Sequence, residues 1–114
     1  MEEFVSNTIE LMKTGCVFSY MTEFDERRND PAGVLADLMH YCDLYMYDFD
    51  QLVHDADFWG KDENSYENSP VNIISDLIEW CEQKELDFYE EINKAQIIME
   101  LDQEKLDLYK VLQL

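Results

Sequence analysis

The sequence predicts an all-α domain of about five to six helices, on three observations. Apolar residues recur at the spacing of a helix face along most of the 114 residues. Both prolines follow a side chain able to cap a helix, in Asp30-Pro31 and Ser69-Pro70. No segment sustains the alternation of a strand, and three glycines are few for a turn-rich β-sandwich.

In chain order, residues 1–29 form an N-terminal helical segment, with Phe4, Val5, Ile9, Leu11, Met12, Val17, Phe18, Met21 and Phe24 at helical spacing. Thr14-Gly15 is placed to kink or divide it. Residues 30–59 read as a helix–turn–helix pair. Its first helix carries Val34, Leu35, Leu38 and Cys42 on one face, and Asp48 with Gln51 fits a capping box that opens the second. Residues 60–69, GKDENSYENS, are a polar linker. Residues 70–114 read as a second pair, with Ile73, Ile74, Leu77 and Cys81 on the first helix and Asp87 with Glu90 opening the next. Ile97, Ile98, Leu101, Leu106, Tyr109 and Leu112 carry that last helix toward the C-terminus.

The two pairs align on each other without gaps at an offset of 39 residues, 31–57 on 70–96. Identical residues include Pro31/Pro70, Asp37/Asp76, Leu38/Leu77, Cys42/Cys81, Asp48/Asp87, Phe49/Phe88 and Ala56/Ala95. Because helix-start residues recur along with apolar ones, two helix-pair repeats within a single domain are expected.

Charge bounds the partners. There are 27 acidic residues against eight Lys and Arg, a formal net charge of −19, yet 46% of the residues are apolar and 13% aromatic. Disordered acidic tails lack such hydrophobes, so the charge is expected on a folded surface. A surface of this sign repels nucleic acid and anionic membrane and attracts basic partners. Residues 30–91 hold 17 of the acids and only Lys61 and Lys84. Helix N-termini account for Asp48, Asp50, Asp87, Glu90 and Glu91, where the macrodipole favours anions. Asp55, Asp57, Asp62, Glu63, Glu67, Asp76, Glu79 and Glu82 have no such reason. Carboxylates one helical turn apart stand about 5–6 Å apart at Cβ, comparable to successive phosphates of a nucleic-acid strand.

Size, charge, helical content and aromatic-rich acidic helices resemble the phage- and plasmid-borne DNA-mimic inhibitors, among them anti-restriction and anti-CRISPR proteins. That class is defined by charge rather than by motif. Locally, LADLMHYCDLYMYDFDQ (35–51) and SDLIEWCEQKELDFYEE (75–91) resemble a segment recurring in small proteins of phages and bacterial mobile elements. The Leu-Asp-Phe-Tyr-Glu-Glu run (86–91) also looks like a helix start of the all-α nucleotide pyrophosphohydrolases similar to MazG, which hold Mg²⁺ with Glu-x-x-Glu and Glu-x-x-Asp motifs. Glu23–Glu26 and Glu79–Glu82 have the first spacing, but they lie 56 residues apart and no Glu-x-x-Asp follows at the expected distance.

Other candidate chemistry is thin. Asp50 and His54 are one turn apart with Asp57 beyond, a weak metal pattern beside the reading of His54 as a solvated surface residue. Cys42 and Cys81 read as small hydrophobes at equivalent core positions, since no basic group flanks them to create a thiolate. With Cys16 they make three cysteines at wide spacing, expected as reduced thiols. Tyr41, Tyr45, Tyr47, Phe49, Phe58, Trp59, Trp80, Phe88 and Tyr89 are most economically core residues, although Tyr45 and Tyr47, if exposed beside acids, would serve as anchors for a partner.

The expected function is therefore non-catalytic: filling the basic groove of a DNA- or RNA-binding protein and so inhibiting a nucleic-acid-handling enzyme. Asp37, Asp43, Asp55, Asp57, Asp62, Glu63, Glu67, Asp76, Glu79, Glu82 and Glu85 would supply counter-charges, with Tyr45 and Tyr47 as anchors. No cofactor, metal, direct nucleic-acid contact or membrane is expected. The competing reading is a helical adaptor, or a homodimer through the C-terminal helix, with incidental acidity; the enzyme reading is the MazG-like hydrolase. Met1-Glu2-Glu3 does not open a signal peptide, which places the expected site of action in a bacterial or phage-infected cytoplasm.

Overall fold

The computed structural model describes residues 2–14, 30–60 and 69–112. These form five α-helices and no strand: α1 (Glu2–Thr14), α2 (Pro31–Tyr45), α3 (Phe49–Trp59), α4 (Pro70–Gln83) and α5 (Phe88–Leu112). The fold is all-α. The proline-led starts are formed as the sequence predicts. Asp30 accepts a hydrogen bond from the Ala32 amide at 3.1 Å, and Ser69 accepts one from the Asn72 amide at 3.4 Å. Asp48 caps α3 through the Gln51 amide at 3.2 Å, and Asp87 accepts from the Tyr89 amide at 3.0 Å. The predicted box around Asp48 is only half made. The Gln51 side chain donates forward to Asp55 Oδ1 at 2.9 Å, because a carboxylate one turn on is a charged acceptor.

Local conformation recurs at the offset of 39. Met46 and Glu85 both sit in the left-handed region, with φ of 62° and 57°. The next residue donates five residues back in each case, Tyr47 to the Cys42 carbonyl at 2.9 Å and Leu86 to the Cys81 carbonyl at 2.8 Å. This is the Schellman stop, usually made with glycine because a Cβ is disfavoured there. Neither turn has one.

Helix α2 lies at the centre. Pro31 through His40 are all buried, a helix covered on every side, with α1 and α5 as its main neighbours and α4 in contact. The trailing helix α3 packs chiefly on α4 rather than on its sequence neighbour α2. Each pair's leading helix thus rests on the other pair's trailing helix. Asp30 lies close enough to Lys94 to act on it, while His40 meets Asp102, so α2 and α5 run in the same direction. The core joins Leu11 of α1 with Val34, Leu35, Leu38 and Cys42 of α2, Val53 and Ala56 of α3, Ile73, Ile74, Leu77 and Cys81 of α4, and Phe88, Ile92 and Ala95 of α5. No described helix is long and apolar enough to cross a membrane. The predicted continuation of the N-terminal segment over 15–29 and the linker residues 61–68 lie outside the described residues.

Candidate acidic and aromatic interface

Thirteen side chains are expected at the interface, and the structure divides them. Asp62, Glu63 and Glu67 lie outside the described residues. Asp43, Asp57, Glu79, Glu82, Glu85, Tyr45 and Tyr47 are exposed, and Asp55 is half-buried. Asp37 and Asp76 are not surface groups: they are 3% and 8% exposed. Asp37 Oδ2 accepts from Asn7 Nδ2 at 3.1 Å and ties α1 to α2. The spacing of Asp76, Glu79 and Glu82 misleads because three-residue steps fall about 60° short of a full turn. The row winds from the packed side of α4 at Asp76 to the solvent at Glu79 and Glu82.

Two exposed aromatic groups stand at the ends of α3. At its start, half-buried Tyr41 gathers the others: its ring centroid is 4.6 Å from Tyr45 and 6.0 Å from Tyr47, the latter stacked. Met46, between Tyr45 and Tyr47 in the sequence, is 93% exposed. Burial, then the neighbouring phenols of Tyr47 and Tyr45, raise the Tyr41 pKa. Asp43, Asp48 and Asp50, which flank these residues in the sequence, are all exposed. At the other end, His54 stacks on Phe58 at 6.0 Å and Phe58 meets Trp59 edge-on at 4.9 Å. Phe58 and Trp59 are mostly exposed, as is Tyr89 in part. The expectation that Tyr45, Tyr47, Phe58, Trp59 and Tyr89 fill the core is therefore corrected. Of the nine aromatics, Phe88 joins the core, and Tyr41, Phe49 and Trp80 pack partly against it.

The structure also joins acids of the two pairs. Tyr89 Oη donates to Asp57 Oδ2 at 3.0 Å across α3 and α5. That hydrogen bond, with the charges of Asp57 and Asp87, raises the Tyr89 pKa. The end of α3 and the start of α5 thereby form one acidic corner. Over residues 30–60 there are seven aspartates and no Lys or Arg.

The remaining candidates resolve as follows. Cys42 and Cys81 are both buried free thiols. Burial first, then Asp43, pushes the Cys42 pKa up to about 12; burial, then Glu91 and Asp87, pushes Cys81 up to about 11. Cys16 lies outside the described residues. Among the described residues no three His, Cys, Asp or Glu side chains are grouped to hold a metal ion, the Asp50, His54 and Asp57 pattern included. His54 is exposed and stands 3.7 Å from Asp55.

Sequence reasoning missed the buried polar contacts. His40 is fully buried on α2, with Nε2 3.0 Å from Asp102 Oδ2 of α5. Glu91 is buried and takes Lys94 at 3.1 Å. The alignment hid His40, because its counterpart at the offset of 39 is exposed Glu79. No protein-family model, curated protein or solved structure matches the chain.

Proposed function

We propose that this chain is a non-catalytic acidic protein that binds the basic, nucleic-acid-binding surface of another protein and inhibits a nucleic-acid-handling enzyme of the restriction or CRISPR kind. One observation carries the reading: residues 30–60 expose Asp43, Asp48, Asp50 and Asp57 beside Tyr45, Met46, Tyr47, Phe58 and Trp59, without a single Lys or Arg. Solubility asks for a net charge of about 2–8 in a small domain and does not require aromatics at the surface. A partner built for phosphates supplies Lys and Arg to the carboxylates, and the rings provide apolar anchors once water is excluded. Charge steers the encounter; the anchors set the lifetime of the complex. Helix α3 is about 16 Å long, so its two aromatic groups are spaced to bracket a groove. Reading 31–57 and 70–96 as two copies of one helix pair belongs to the same proposal. It is supported by the matched caps and by the left-handed residues 39 apart, and it would give the partner two related acidic ends, the second carrying Glu79, Glu82 and Glu85.

The test is capture of partners from a bacterial lysate on the immobilised chain, followed by elution with duplex DNA and with salt. Competition by DNA and an affinity falling about a thousandfold or more between low and moderate salt are expected for six or more charge contacts. Replacing Asp43, Asp48, Asp50 and Asp57 by Asn flattens the salt dependence, while Tyr45→Ala and Tyr47→Ala each weaken binding about tenfold without flattening it. A salt-insensitive complex that DNA leaves intact would overturn the reading.

A further inference from the structure

Helix α5 has two apolar faces, and among the described residues one is buried in the core and the other is exposed. Phe88, Ile92, Ala95 and Asp102 face the core. On the other side Ile97, Leu101, Leu108 and Leu112 are 59%, 51%, 60% and 75% exposed. At about 100° per residue these four fall within about 60° of arc, in a row about 22 Å long. Isolated surface leucines are ordinary, but four apolar residues aligned on one side of a helix, two on each side of a charged centre, mark a contact surface.

We propose that this row is an antiparallel, two-fold interface between two copies of this chain. The occupant follows from the spacing. A two-fold contact must be self-complementary, each residue meeting its mate about one axis. The row is symmetric about the point midway between Glu104 and Lys105. Laid antiparallel on a second copy, Ile97 comes level with Leu112 and Leu101 with Leu108, so every apolar residue meets another. At the centre Glu104 of one copy is level with Lys105 of the other, and both are exposed. The middle of the contact thus carries two charges of each sign and no net charge. A foreign helix would impose no such symmetry on the sequence.

Overall charge agrees with this choice of face. Two chains of −19 repel one another, so self-association needs a face where the charge is relieved. Residues 88–112 hold three of the eight basic residues, Lys94, Lys105 and Lys110, against six acids, whereas 30–60 holds none against seven. A single helix–helix contact is small, at or below about 1,200 Å² in total, so the dimer forms and dissociates with concentration. The row uses none of the residues assigned to the partner surface around α3, and so does not depend on the function proposed above.

The test is sedimentation velocity of the purified chain from micromolar to millimolar concentration, with circular dichroism to follow folding. The native chain shifts from its 13.6 kDa monomer toward a dimer as concentration rises. Leu101→Glu and Leu108→Glu each weaken the association about a hundredfold while leaving helix content and Tm nearly unchanged, since both side chains are already exposed. Glu104→Lys and Lys105→Glu separately weaken it by placing four like charges at the centre, and mixing these two variants restores a mixed dimer. A native chain that stays monomeric throughout would overturn the proposal. So would a dimer that survives both leucine substitutions, or charge variants that fail to rescue one another.

Discussion

Replacing Met46 by glycine should stabilise the protein, an outcome set by backbone geometry alone. Met46 closes α2 at φ 62°, ψ 34°, where a residue with a Cβ stands about 1–2 kcal/mol above its preferred conformation. Its side chain is 93% exposed, so its removal forfeits little packing. Glycine relieves the strain but adds freedom to the unfolded chain, a loss of about 0.4–1 kcal/mol. The balance is about 0.5–1 kcal/mol in favour of the folded state, or roughly 2–6 °C in Tm for a domain of this size. Glu85 occupies the same position in the second turn at φ 57°, and Glu85→Gly should act alike. The two substitutions lie in different turns, and the double variant should gain about the sum of the two. Thermal and urea unfolding of the two single variants, the double variant and a Met46→Ala control measure this. The control keeps the left-handed Cβ and should leave Tm nearly unchanged. A Met46→Gly protein with unchanged or lowered Tm, or an alanine variant as stable as the glycine one, would refute the reasoning.

Three further outcomes are expected. His40→Leu should destabilise by about 3 kcal/mol, because Asp102 then loses a buried partner, and Asp102→Leu should cost a similar amount. The double variant should cost clearly less than the sum in urea denaturation, and strict additivity would show that the pair does not interact. Cys42 and Cys81 should resist alkylation in the native protein and react once it is unfolded, as read by peptide mapping. Their folded pKa values, about 12 and about 11, lie above the ordinary 9.0. Above about pH 9 the unfolded chain therefore releases protons that the native protein keeps. This contribution to stability is full below that pH and falls as pH rises toward the folded values. Replacing both thiols by alanine should flatten the decline between about pH 9 and about pH 11, although packing makes the variant less stable overall.

Much of the fold is legible in the sequence because its signals are local. Asp30-Pro31 and Ser69-Pro70 mark helix starts through a side-chain acceptor and a ring that fixes φ, whatever the rest of the chain does. The rows at Val34, Leu35, Leu38 and Cys42, and at Ile73, Ile74, Leu77 and Cys81, announce buried faces by their spacing. The helix stops were less legible, because Met46 and Glu85 hold a conformation that sequence reasoning expects of glycine or asparagine. The acidic interface was legible in composition and only partly in residues. Helical spacing places Asp76 and Glu79 as neighbours on a helix, but not on the dry or the wet side of it.

The sequence by itself determined an all-α chain, the starts of its paired helices, the apolar rows and an acidic excess concentrated in the middle of the chain. Each depends on a few consecutive residues, on their spacing, or on counting. Tertiary structure decided which sides of those helices meet. It buried Asp37 with Asn7 and His40 with Asp102, brought Asp57 to Tyr89, and turned Tyr45, Tyr47, Phe58 and Trp59 outward. It also left Ile97, Leu101, Leu108 and Leu112 on the open side of α5. The reason is that a polar or aromatic side chain is held inside or outside by groups far away in the chain. His40 and Asp102 are 62 positions apart, and the chain between them carries no local mark that the two will touch.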